Sequence, residues 1–155
     1  KMKVVIIMGS KSDMDWSEQI ADTLDELGIE SVMRIASAHK VPFKAVDIIN
    51  EYEDEKVVYI TVAGRSNALS GFVDAQTEKP VIACPPYSSK FGGADIFSSL
   101  RMPSGVCPMV IIGTEQAGLA AAKMFALSDE DLQERIKEYQ ENNRKQIDKD
   151  DEEVR

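Results

Sequence analysis

Five short apolar runs, separated by stretches with helical spacing, restrict this chain to an alternating β/α arrangement. Lys3 to Met8 reads Lys-Val-Val-Ile-Ile-Met with no polar interruption, the pattern of a strand buried on both faces. Trp16, Ile20, Leu24 and Leu27 follow at helical spacing, and Gly28 supplies a stop. Ser31 to Ile35, Lys56 to Val62, Val81 to Cys84 and Pro108 to Ile112 read as the remaining strands. Pro42 suits the first turn of a helix through Val46, Ile49 and Tyr52. Ile96 to Arg101 reads as a short helix and Gln116 to Leu127 as an apolar one. A last helix is expected from a Ser128 cap to about Asp148, with Asp129, Glu130 and Asp131 favourable in its first turn. Consecutive parallel strands need right-handed crossovers, so the expected fold is a flavodoxin-like three-layer α/β/α sandwich with a central parallel sheet.

A chain of 155 residues with 43% apolar content fits one domain with a real core. The expected domain is therefore 1–155, with an acidic, solvated tail from about 148. The formal net charge of -9 argues against nucleic acid and anionic membranes as partners, so a bound phosphate needs a local cationic pocket. Cys84 and Cys107 lie in apolar runs without zinc-site spacing, and both are expected as buried, reduced thiols. With one histidine and no clustered carboxylates, no metal site is expected. No run approaches the ~18 apolar residues of a membrane span and the first residues lack a leader pattern, so the expected compartment is the cytoplasm. The Gln116 to Leu127 helix has almost no polar face, and the last helix carries Leu132, Ile136, Tyr139 and Ile147 as a thin stripe. A homo-oligomer would cover both; the alternative is a helix sandwiched within one chain.

Three polar loops follow the first three strands, and in a parallel sheet they meet at the carboxyl edge where open α/β folds bind ligands. Gly9-Ser10-Lys11-Ser12-Asp13 offers a tight turn, hydroxyl donors and a helix start that favours an anion. Asp13 does not suit a phosphate; it suits the hydroxyls of a ribose, unless Ser12 and Asp13 only cap the helix. Ser37-Ala38-His39-Lys40 holds the single histidine, able to take or give a proton at neutral pH. A cation such as Lys40 is badly placed at a helix start unless an anion lies beside it. In Ala63 to Gly71, Gly64 permits close approach, Arg65 and Asn67 can bind carboxylate or amide oxygens, and Ser66 could cap the next helix.

These loops, with Ser98-Ser99-Leu100-Arg101-Met102-Pro103-Ser104-Gly105, resemble the aminoimidazole ribonucleotide carboxylases of purine synthesis, the PurE family. The resemblance runs in order and spacing from residue 3 to about 140. It implies a flavodoxin-like homo-oligomer, an octamer before a tetramer, that works without metal or organic cofactor on a small ribonucleotide and carbon dioxide. Family members of class I move a carboxylate from the N5 amine to C4 of the imidazole, whereas class II joins free carbon dioxide to C4. Class I has Ser-Ala-His-Arg and a third loop ending His-Leu-Pro-Gly. Lys40 and Arg65-Ser66-Asn67-Ala68-Leu69-Ser70-Gly71 resemble class II instead. The resemblance assigns general acid/base work to His39 and ribotide binding to Ser10, Ser12 and Asp13. It gives Ser37 and Lys40 the phosphate side, counts Ala38 among the substrate-binding residues, and gives Gly64, Arg65 and Ser66 the carboxylate and imidazole. Its rivals are a class I mutase and a non-catalytic nucleotide-binding module.

Overall fold

The computed structural model describes residues 2–155. Its five-stranded parallel sheet has the order β2-β1-β3-β4-β5, with β1 Met2–Met8, β2 Glu30–Ile35, β3 Lys56–Val62, β4 Val81–Ala83 and β5 Met109–Val110. The helices are α1 Met14–Glu26, α2 Pro42–Glu51, α3 Leu69–Ala75, α4 Phe97–Leu100, α5 Thr114–Ala126 and α6 Glu130–Val154. This is the expected flavodoxin-like order. No helix of the described residues is long and apolar enough to cross a membrane.

Strand periodicity divides the core between the two faces of the sheet. Val4, Ile6 and Met8 join Val58, Ile60, Val62 and Ile82 under α1, α5 and α6. Val5 and Ile7 join Val57, Tyr59 and Val81 under α2 and α3. Both faces of β1 are therefore covered, which is why its sequence runs apolar without alternation. Tyr59 is fully buried, and its hydroxyl donates to the Ile49 carbonyl at 3.2 Å.

Register sets the level of the loops. Met8 pairs with both Ile35 and Val62, so β1, β2 and β3 end side by side. Gly9 N–H donates to the Val62 carbonyl and Ala36 N–H to the Met8 carbonyl, each at 2.9 Å. The three loops leave the sheet from this common line.

Several boundaries differ from the sequence expectation. The cap of α6 is Asp129, whose side chain accepts from Leu132 N–H at 3.0 Å; the Ser128 hydroxyl instead meets Lys56 Nζ at 2.5 Å. The acidic residues 148–153 are exposed, and α6 runs through them to Val154 instead of ending near Asp148. Side-chain pairs one turn apart support them, including Gln146 with Asp150 and Arg155 with Asp151. The fifth strand keeps only two residues. Cys107, expected buried, lies in the loop before it and is exposed, whereas Cys84 is buried as expected.

Much of α5 is covered within the chain, by α1 and α6. The contact with α1 is close: a Cβ on Gly118 would lie 3.1 Å from both Cβ and Cγ2 of Thr23 and 3.4 Å from the Ile20 carbonyl oxygen. Gly118→Val is therefore expected to lower stability by about 1–3 kcal/mol through overpacking. Urea unfolding checks this: the midpoint should fall at unchanged slope, and a wild-type midpoint would contradict the close contact.

Candidate functional site

A cavity of about 530 Å³ opens at the carboxyl edge of β1, β2, β3 and β4, within the size range of small-molecule sites. The three loops singled out in the sequence converge there, and Ser10, Ser12, Asp13, Ser37, Ala38, His39, Lys40, Gly64, Arg65 and Ser66 line it, whereas Asn67 does not.

In the first loop the Ser10 hydroxyl accepts from Ser12 N–H at 3.0 Å and shares a 2.6 Å bond with the Ser12 hydroxyl. Ser10 thus caps the turn formed by Lys11–Asp13, and Asp13 makes no side-chain cap bond to α1. The Asp13 carboxyl is left to face the cavity. Burial pushes its pKa up, opposed by the Ser10 backbone and by the positive charge of Arg65. A half-buried carboxylate that the Ser10 backbone meets still has acceptor capacity for a ligand that brings hydroxyl donors.

In the second loop the Ser37 hydroxyl accepts from Lys40 N–H at 3.2 Å, and Val41 N–H donates to the Ser37 carbonyl at 2.9 Å. These bonds close the turn before Pro42 opens α2. The Ser37 hydroxyl proton remains available to donate into the cavity. His39 and Lys40 are exposed at the rim, and neither side chain has an intramolecular hydrogen bond or ion pair among the described residues. Imidazole, ammonium and hydroxyl are left for a ligand.

The third loop differs in part from the expectation. Asn67 is buried, and its amide donates to the Ser70 hydroxyl at 3.0 Å and the Ser99 hydroxyl at 2.9 Å while accepting from Ser70 N–H at 3.2 Å. Its polar atoms therefore hold the loop rather than a ligand. Asn67, not Ser66, serves the first turn of α3, and Ser66 is exposed in the cavity. A Cβ on Gly64 would sit at ordinary contact distance, 3.6 Å from Asp95 Oδ2, so the absence of one widens the cavity without relieving a clash.

Residues that the sequence reading missed complete the wall. Pro86, Tyr87 and Ser88 leave β4 at the same edge, and Asp95 arrives from the turn before α4. The position of Pro85-Pro86 directly after a parallel strand is a signal that sequence order offers for this part of the wall. Asp95 had none, because nothing local ties it to a loop 30 residues earlier. Cys84 lies below the site, fully buried; burial pushes its thiol pKa up to about 11 and its Sγ points to the Gly113 carbonyl at 3.6 Å. A thiol so placed is a poor nucleophile. Among the described residues no group of three or more His, Cys, Asp or Glu could hold a metal ion.

An imidazole, two cations and two carboxylates lining one cavity at the point where the strand order reverses define a small-molecule site of an open α/β protein. The model of the AIR carboxylase family matches residues 3–146, and the chain belongs to that family. A phosphoribosylaminoimidazole carboxylase of Archaeoglobus fulgidus is 66% identical over 154 residues, spanning 99% of this chain and 86% of that protein. A rat bifunctional phosphoribosylaminoimidazole carboxylase/succinocarboxamide synthetase is 40% identical over 129 residues, or 82% of this chain and 30% of that protein. The crystal structure of Treponema denticola PurE matches with a TM-score of 0.96 and 48% identity, over 100% of this chain and 99% of that one.

Proposed function

We propose that this chain carboxylates 5-aminoimidazole ribonucleotide at C4 with free carbon dioxide, reversibly, and that His39 moves the proton. The observation that carries this reading is the one histidine, without an intramolecular partner among the described residues, lining the same cavity as Lys40, Asp13 and Asp95. The amino-substituted imidazole is nucleophilic at C4 in the manner of an enamine, so its ring electrons form the new C–C bond to carbon dioxide directly. The product of attack is a tetrahedral C4 that still carries its hydrogen. Neutral His39 accepts that proton, directly or through the new carboxylate, and aromaticity returns. In reverse the imidazolium protonates C4 and carbon dioxide leaves.

The remaining residues divide the ligand between them. Asp13 accepts from the ribose hydroxyls, with Ser10 and Ser12 beside it. Lys40 and the donor face of Ser37 take the phosphate, with Ala38 lining the turn. Gly64, Arg65 and Ser66 frame the imidazole and its carboxylate. Binding energy at the distant phosphate can then orient a ring that must meet a small, weakly held gas molecule.

Lys40 and the Arg65 to Gly71 loop favour the direct carboxylase over a mutase, as does the carboxylase name of the Archaeoglobus relative. A homo-oligomer in the cytoplasm is proposed with it. Exposed Phe43, Phe97, Ile112 and Leu127 support association, each leaving more than half of its surface in solvent.

With the ribonucleotide and labelled bicarbonate, and no nucleoside triphosphate, the expected result is label in the C4-carboxylated product. Exclusion of label together with ready conversion of the N5-carboxylated nucleotide makes the chain a mutase. Binding without turnover of either leaves only a nucleotide-binding module.

A further inference from the structure

Among the described residues Arg65 is the one non-glycine with a positive φ, at 62°. An L side chain rarely adopts this backbone, so surrounding structure must impose it. The partner that meets the Arg65 peptide is Asp95: its Oδ2 accepts from Arg65 N–H at 2.9 Å. Asp95 is itself fixed. Its carbonyl accepts from the Ser98 hydroxyl at 2.7 Å, that hydroxyl accepts from Asn67 N–H at 2.9 Å, and the buried Asn67 amide reaches Ser99. The loop after β3 is thereby tied to the segment 95–99 at Arg65 itself and again two residues later, at Asn67. A carboxylate can satisfy one N–H in many geometries; this one does so where it also fronts the cavity, next to Gly64.

We infer that Asp95 is a positioning residue, which holds the Arg65 peptide in its left-handed conformation and so aims the guanidinium at the carboxylate that the reaction forms or removes. The inference rests on the carboxylation reading above. It separates two properties of the site. The phosphate end, built on the first two loops, is independent of Asp95, whereas recognition of the carboxylated ring depends on it.

Two measurements on the full chain test this, using Asp95→Ala, Asp95→Asn and Arg65→Gly. In the ligand-free protein, exchange of the Arg65 amide hydrogen should rise about tenfold or more in Asp95→Ala, with β1 and β3 amides unchanged, and fall back in Asp95→Asn, which keeps an acceptor oxygen. In equilibrium binding, Asp95→Ala should weaken the C4-carboxylated ribonucleotide about tenfold and the uncarboxylated one less than twofold. Asp95→Asn should recover most of that loss. Glycine tolerates the positive φ, so in the Arg65→Gly background the further loss on Asp95→Ala should shrink to less than twofold. Unchanged exchange overturns the inference, as does an equal loss for both nucleotides or a full loss in the Arg65→Gly background. Wild-type protein that binds neither nucleotide overturns the carboxylation reading and this role with it. Wild-type protein that prefers the carboxylated nucleotide, beside an Asp95→Ala protein with the same preference, overturns this role alone.

Discussion

His39→Asn is expected to lower turnover by roughly 10²–10⁴ while leaving ribonucleotide affinity within about tenfold, the usual division when a general acid/base is lost and the rest of the site remains. Asparagine keeps a polar side chain at the rim, and His39 makes no intramolecular hydrogen bond whose loss would disturb the 37–41 turn; that turn is held by Ser37 with Lys40 and Val41. No second histidine exists to take the proton. Steady-state kinetics in both directions, paired with direct binding of the ribonucleotide, check the result. Equal losses in binding and turnover would mean that the imidazole holds the ligand instead of moving a proton.

Asp13→Asn should separate function from stability. The variant is expected to bind the ribonucleotide at least about tenfold more weakly, because an ionised acceptor of ribose hydroxyls is replaced by a neutral amide. The free protein should be no less stable at neutral pH. Burial raises the Asp13 pKa in the folded state, so the folded protein holds that proton more tightly than the unfolded chain does. Such a group favours the folded state at pH below its unfolded pKa, and the advantage is lost as pH rises through the folded value. Its ionised form at neutral pH is thus a cost that asparagine removes. Urea unfolding of both proteins at neutral and acid pH tests the sign: any stability gain of Asp13→Asn should shrink as pH falls through the carboxylate range. A variant clearly less stable than wild type at neutral pH would make Asp13 a structural residue.

The parts of the fold that sequence displayed are those whose environment is uniform. Both faces of β1 and β3 lie under helices, so continuous β-branched runs marked them almost to the residue. Pro42 opened α2 because its missing N–H is harmless there. Local chemistry misled where two neighbours could do the same work. Ser128 and Asp129 can each cap a helix, and packing against Lys56 decided between them. The apolar surface of α5 was visible, but its cover came from α1 at the opposite end of the chain.

The site divides in the same way. Loops that follow consecutive parallel strands must meet, so the cavity residues contributed by the first three strands could be named from order alone. Asn67 was misplaced because a polar residue in a polar loop has the same appearance whether it faces a ligand or the hydroxyls of Ser70 and Ser99. Satisfaction of buried polar groups is a three-dimensional property: Ser70 meets Asn67 from within the same loop, but Ser99 reaches it from a segment 32 residues further on.

The edges of the sheet bear on how the chain behaves in company. A long, flat, unpaired strand is a template for another chain, and proteins blunt such edges by shortening or charging them. One edge here, β5, offers only Met109–Val110 behind Pro108, which has no N–H to give. The other, β2, carries Arg34 in a two-pronged pair with Glu51, at 2.5 and 3.0 Å, and begins at charged Glu30. Neither edge invites runaway strand addition. The proposed association of copies would then run through helices, loops and exposed side chains, whose contacts close on themselves more readily than a backbone ladder that extends without end.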